Sequence, residues 1–213
     1  MKISKHVHSC LLIEEAGMVF LFDPGNYTSD EKALDLEKIT QLDYLLITHE
    51  HQDHMDLGLI KEILAKFPEV KIFSNSSVAE ILGNPPAGGG IEVQTKGDDL
   101  VTLEEVPHEK IFMSNTVAKN VMFIIAGKFS HPGDSHHFET SSEILALPVQ
   151  APWGSTTDAV ELAVKLNPKI IIPIHDWHWN EKARKSMYQR LEEYFKPLGI
   201  GFIGLETGEV IEV

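Results

Sequence analysis

The chain has a single cysteine, Cys10, which excludes an internal disulfide framework and any all-cysteine metal site. Positive charge is scarce: 18 Lys and Arg face 32 Asp and Glu across 213 residues, a formal net charge of −14. Broad electrostatic binding to nucleic acid needs clustered cations that displace counterions, so nucleic acid is not an expected partner. Anionic small molecules stay open, because a bound metal reverses the local field. Long apolar runs are also missing. Val121–Ala126 and Lys169–Ile174 are strand-sized, far short of the ~20 residues of a membrane-spanning helix. Met1–Cys10 lacks the apolar segment of a signal peptide. The expectation is a cytoplasmic protein with no membrane association. Hydrophobic content of 43% and charged content of 23% predict a packed core. No stretch reads as a linker, so one domain over residues 1–213 is expected.

Histidine, by contrast, is plentiful, with eleven residues. Their placement depends on the predicted elements. Cys10–Ile13 and Met18–Phe22 read as strands, and Asp23-Pro24-Gly25 ends the second with turn chemistry. Glu31–Ile39 reads as a short helix. Asp43–Thr48 is a continuous apolar run of strand length, as expected of a strand buried on both faces. Asp56–Phe67 puts Leu57, Ile60, Ile63, Leu64 and Phe67 on one helical face. Val70–Phe73 is a strand, Ser76–Leu82 a helix and Gly83–Gly90 a loop. Ile91–Gln94, Leu100–Val106 and Val121–Ala126 read as a sheet meander, followed by short strands at Phe129–His131 and Ile144–Leu147. Thr156–Leu166 and Glu181–Tyr194 are predicted helices around the buried strand Lys169–Ile174. Gly201–Val213 reads as a closing hairpin. Strands run into β/α units in both halves, which predicts two similar layers packed face to face.

The segment Thr48-His49-Glu50-His51-Gln52-Asp53-His54 sits between the apolar strand and the Asp56–Phe67 helix. It therefore falls at the carboxyl end of a strand, where open α/β sheets place their sites. His49 and His51 point the same way if the chain is extended there. Asp53 and His54 follow a change of direction and can face a second position. Three imidazoles and one carboxylate suit zinc, iron or manganese. Further ligand-type residues follow other predicted strands: His108, Asp134 in His131-Pro132-Gly133-Asp134-Ser135, and His175 in Pro173-Ile174-His175-Asp176. The same placement recurs at four strand ends.

The pattern His49-x-His51-x-Asp53-His54, then His108, Gly133-Asp134 and His175, resembles the metallo-β-lactamase-fold hydrolases from the first strands nearly to the C-terminus. His8-Ser9-Cys10, Phe22-Asp23-Pro24 and Pro173-Ile174-His175 are similar to the branch of ascorbate-6-phosphate lactonase-like proteins and related metal-dependent hydrolases. The resemblance implies an α/β fold, a four-layer αββα sandwich with the site along one edge of its two sheets. It implies two divalent metal ions per chain, zinc first, with manganese or iron as alternatives. His49, His51 and His108 then hold one metal, Asp53, His54 and His175 the other, and Asp134 bridges both. Self-association into a homo-oligomer is a further implication. The sequence departs from some relatives: Cys10 is in the wrong place for the cysteine ligand of the best-known zinc β-lactamases. His51 stands where flavodiiron proteins carry Glu.

Such a pair of metals ~3.5–4 Å apart generates a bridging hydroxide, which attacks a carbonyl or phosphorus without a side-chain nucleophile. The expected reaction is cleavage of a small ester or lactone. The alternatives are phosphodiester hydrolysis and a non-catalytic metal sensor. Asp53 doubles as a group able to take up a proton, and His8 is a substrate-contact candidate. His136 and His137 read equally as partners that orient ligands or as loop residues. Trp177-His178-Trp179 reads as a packed corner beside the site, with an aromatic wall as the alternative. Ser155 and Thr156 read as a helix cap or a phosphate contact. Gly88-Gly89-Gly90 lacks the context of a phosphate-binding loop.

Overall fold

The computed structural model describes residues 1–83, 91–112 and 114–213. The predicted loop Gly83–Gly90, with its three consecutive glycines, lies almost wholly outside them. Strands β1 (Lys2–Val7), β2 (Cys10–Glu15) and β3 (Met18–Phe22) form an antiparallel meander. β4 (Tyr44–Leu46), β5 (Lys71–Phe73) and β6 (Val93–Gln94) then add in parallel. The second sheet repeats the scheme. β7 (Val101–Glu105), β8 (Val121–Ile125) and β9 (Phe129–His131) are antiparallel. β10 (Ile144–Pro148), β11 (Ile170–Ile174) and β12 (Gly201–Phe202) continue in parallel. β13 (Val210–Glu212) returns to pair with β1.

Alternation of side chains along the strands builds three apolar layers. Phe22, Leu46, Phe73, Phe123, Phe129, Ala146, Ile172 and Ile174 meet between the sheets. Their neighbours Leu21, Leu45 and Ile72 face outward onto α2 (Leu57–Lys66) and α3 (Ser76–Gly83). Leu145, Leu147 and Ile171 face outward onto α4 (Thr156–Leu166) and α5 (Glu181–Phe195). The result is the expected αββα sandwich. The inner strands are buried on both faces, which is why they read as unbroken apolar runs.

Three expectations need correction. No helix covers Glu31–Ile39. A five-residue helix occupies Asn26–Asp30, Lys32 adopts φ +52°, and a short 3-10 turn at Leu36–Lys38 starts at Asp35, whose side chain accepts from the Glu37 amide. Gly201–Val213 is not a hairpin. β12 extends the second sheet and β13 the first, with Leu205 buried between the sheets where the chain crosses over. β6 belongs to the first sheet rather than to the meander with β7 and β8. The strand pattern of Lys2–Val7 was obscured by Lys5, a buried cation described below.

Strands β1, β3, β4, β7, β9, β10 and β11 end at the same edge of the sandwich, as pairing directions within each sheet require. Two backbone bonds join the sheets there, from Val121 N to Thr48 O (3.2 Å) and from His175 N to His8 O (3.3 Å).

Candidate metal centre

Each of the seven ligand-type residues singled out by spacing lies at this edge. The loop after β4 is tightly wound: the amides of His54 and Met55 both donate to His51 O. Gly25 lies so close beneath it that a Cβ there would sit 1.8 Å from Asp53 O. Gly133, at φ +59°, leaves no room either; its Cβ would lie 2.2 Å from Asn120 Oδ1. These two glycines let the loop backbones approach closely enough for their side chains to converge.

The donors fall into two groups, each with one atom per residue within 4.8 Å of the others: His49, His51, His108 and Asp134, and His8, Asp53, His54 and His175. Asp134 lies between the groups. Its Oδ1 is 3.0 Å from His54 Nε2 and 3.2 Å from His175 Nε2; its Oδ2 is 3.5 Å from His108 Nε2 and 3.8 Å from His49 Nε2. Asp53 Oδ2 faces His8, His175 and His54 at 3.3, 3.8 and 3.9 Å.

The orientation of the rings is as informative as their proximity. His54 Nδ1 is 2.8 Å from Asp23 Oδ2, His175 Nδ1 2.8 Å from Gln150 O, and His108 Nδ1 2.5 Å from Glu109 O. His49 Nδ1 lies 3.0 Å from Thr48 Oγ1. One nitrogen of each ring is thus fixed by the protein and the other is aimed at the centre, the usual arrangement of metal-binding imidazoles. His49 Nε2, His54 Nε2, His175 Nε2 and Asp134 Oδ1 are buried without a hydrogen-bond partner. Leaving so many buried polar atoms unpaired is costly unless a cation takes them up. The residues present therefore fit a divalent metal at each group.

Electrostatics agree. Burial pushes the His49 imidazolium well below its usual range, and neighbouring His54 adds to this. Burial also opposes charge on His54, yet Asp134, Asp23 and Asp53 overcome it and hold that ring well above the ordinary value. Asp134 is held well down, against its own burial, by His175, His54 and His49. Perturbations this concentrated mark functional sites. Backbone strain concentrates here too, with φ +55° at His8, +42° at Asp23 and +61° at His175.

Reasoning from spacing missed several residues. Asp23 accepts from the Thr48 amide (2.7 Å) and hydroxyl (2.8 Å) as well as facing His54, yet in sequence it is an ordinary turn aspartate. Trp153 donates its indole N–H to Asp134 Oδ2 at 2.9 Å. It also separates two cavities. One, about 380 Å³, opens onto the centre and is bounded by Asn26, Tyr27, Gln52, Ile111, Trp153 and His178. The other, about 430 Å³, lies beyond the indole beside His136 and Glu109. His8, the substrate-contact candidate, is 1% exposed and does not line the first cavity.

The remaining candidates settle into supporting places. His136 bonds Pro148 O (2.9 Å) and touches the Trp153 ring, whereas His137 is exposed and faces Glu109. Trp177 stacks on Tyr27 at 3.8 Å between centroids and bonds Glu31, and Trp179 packs on the outer core. Ser155 and Asp158 exchange bonds in a capping box, which occupies the Ser155 hydroxyl. Cys10 is buried, its thiol pushed up to about 12, and joins neither donor group.

Fold and donor set define a metal-dependent hydrolase of the metallo-β-lactamase superfamily. The chain belongs to this family: the model of the Beta-lactamase superfamily domain matches residues 2–175. Among its relatives are UPF0173 metal-dependent hydrolases, to which the chain is similar over its length. Such a protein of Geobacillus thermodenitrificans is 29% identical, with 100% of both chains covered. A protein of Mycobacterium tuberculosis is 30% identical over 91% of this chain and 92% of its own. The fold is shared with a metallo hydrolase of Ignicoccus hospitalis, at TM-score 0.69, 18% identity and coverage of 99% and 97%.

Proposed function

We propose that the protein is a dinuclear hydrolase of a small, uncharged ester or lactone. The observation that carries this reading is Asp134, whose two oxygens face two groups of imidazoles in which His49, His54 and His175 each present an unpartnered Nε2. His49, His51 and His108 would hold one ion, Asp53, His54 and His175 the other, with Asp134 shared. Two divalent ions, when bound, supply Lewis acidity and lower the pKa of water from 15.7 to roughly 7.

The protein's own contribution is positioning. Asp23 and the Gln150 and Glu109 carbonyls fix the ring orientations. Trp153 holds Asp134 so that Oδ1 lies between His54 and His175. Asp53, with 24% of its side chain exposed, borders the cavity and is placed to accept a proton from a reacting group. Asn26, Gln52 and His178 offer hydrogen bonds to a bound substrate, while Tyr27, Ile111 and Pro152 supply apolar wall. Among the described residues lining this cavity there is no Lys or Arg, so apart from bound metal ions nothing in its wall favours a phosphorylated substrate over an uncharged one.

The test begins with elemental analysis after gentle desalting, where about two ions per chain are expected. Protein reloaded with zinc, manganese or iron is then assayed on simple lactones and aryl esters beside bis(p-nitrophenyl) phosphate. Faster turnover of the carbonyl substrates is the expected result. Turnover of the phosphodiester alone would replace this reading, and no metal uptake would end it.

A further inference from the structure

We propose that His8 is a metal ligand, the third imidazole of the group formed by Asp53, His54 and His175. The inference rests on the dinuclear reading above and adds a donor that the seven-residue pattern does not contain.

The position of His8 is unusual for a hairpin tip. β1 and β2 pair through Val7 and Cys10, which leaves His8 and Ser9 as the turn. Such tips are ordinarily at the surface, with side chains in water. His8 is instead 1% exposed. The backbone accommodates this at a cost, with φ +140° at Val7 and +55° at His8, regions that β-branched and bulky residues rarely adopt. A strained turn that drives a polar ring inward calls for a reason.

The ring has no hydrogen-bond partner on either nitrogen, unlike the other buried histidines of the site. Its Nε2 lies 3.3 Å from Asp53 Oδ2, and its donor atom falls within 4.8 Å of those of Asp53, His54 and His175. It packs against the His175 ring at 4.0 Å between centroids, and its carbonyl accepts from the His175 amide. A buried imidazole whose one polar neighbour is a loosely placed carboxylate is unfavourable, and a cation shared with Asp53, His54 and His175 satisfies it. With His8 included each group has three imidazoles, and the shared Asp134 is joined by Asp53 on the His8 side. Substrate contact does not explain the placement, because the ring is sealed from the cavity.

The experiment uses full-length protein with ¹⁵N-labelled histidine, loaded with ¹¹³Cd. Direct ligation gives one-bond ¹¹³Cd–¹⁵N coupling, which a merely positioning histidine does not show. Six coupled imidazoles are expected, and the His8→Gln variant should lose one of them by assignment. In the same variant, zinc competition with a chelator should weaken one of two sites by more than about 100-fold, beyond the range typical of outer-sphere partners. The thermal melt of the metal-free variant serves as the folding control. Five coupled rings, with His8 absent from them, overturn this proposal while leaving the dinuclear reading intact. Failure to bind cadmium or zinc at all overturns both.

Discussion

At the scale of single residues, the site depends on what stands behind each donor. Removing a donor outright is the harsher change: His51→Ala or Asp134→Ala should lose metal and activity together, by at least about 100-fold in kcat/KM, while circular dichroism shows the fold retained. Elemental analysis of both variants checks this, and full metal content with full activity would refute the ligand assignment. Trp153→Phe is a finer probe. It keeps an aromatic wall between the two cavities and deletes only the N–H that bonds Asp134 Oδ2. Zinc affinity should fall by roughly 10–100-fold with little change in the melt of the metal-free protein. An unchanged affinity would mean that Asp134 is held by its other contacts alone.

The same scale shows what was legible in the sequence. His49, His51, Asp53 and His54 declared themselves because four donors crowd into six residues after a buried strand. His108, Asp134 and His175 were legible as strand-end residues, one per strand. Asp23 and Trp153 carried no such signal. Their roles arise from contacts 31 and 19 residues along the chain, which only the folded backbone supplies. His8 was noticed, but its burial follows from a strained turn that no spacing rule announces.

At the scale of elements, β1, the end of β11 and α5 are tied together by one buried polar knot. Lys5 Nζ donates to Pro173 O, Asp176 Oδ2 and Tyr188 Oη at 2.9, 2.8 and 3.0 Å, and Tyr188 also bonds Asp176. Burial pushes the Lys5 ammonium down while Asp176 pulls it up. Three oxygen partners around one nitrogen favour the charged pair. Lys5→Met leaves Asp176 buried without its cation and should cost about 3–5 kcal/mol in urea unfolding. A loss below about 1 kcal/mol would show the knot to be dispensable. Asp176 also sets a pH dependence. Although burial raises its carboxyl, Lys5 and Tyr188 hold it below the ordinary 3.8. A depressed acid stabilises the fold above its unfolded value, and that stability drains as pH falls below about 4. Wild type should therefore lose stability in that window more steeply than an Asp176→Asn variant. Lys5 also explains an element that sequence patterning obscured, since a cation in mid-strand reads as a surface position. The Gly201–Val213 error has the same origin at larger range: local turn signals cannot say that two short strands pair with different sheets.

At the scale of the whole molecule, metal and protons compete for one centre. His54 and His175 are held above the ordinary imidazole value, against burial, chiefly by Asp134. Metal binding needs these rings neutral, so zinc loading near pH 6.5 should release protons, and affinity should weaken as pH falls. A pH-stat titration reads the release directly; none would contradict the assignment of these rings. Removal of metal should also lower stability. At a free concentration 1,000 times Kd a ligand adds about 4 kcal/mol. For a chain of this length that corresponds to roughly 8–16 °C in Tm, measurable by melting with and without chelator.

The backbone bond from His175 to His8 joins residues near opposite ends of the chain, and the donor set draws on both sheets. No chain that ends before His175 contains a complete donor set. During synthesis the first sheet's histidines emerge early, but Asp134 follows only after three of the second sheet's six strands and His175 after five. A chain stopped short of His175, or one whose sheets have not met, would lack donors on one side, so occupancy of the centre would report that the two sheets have come together.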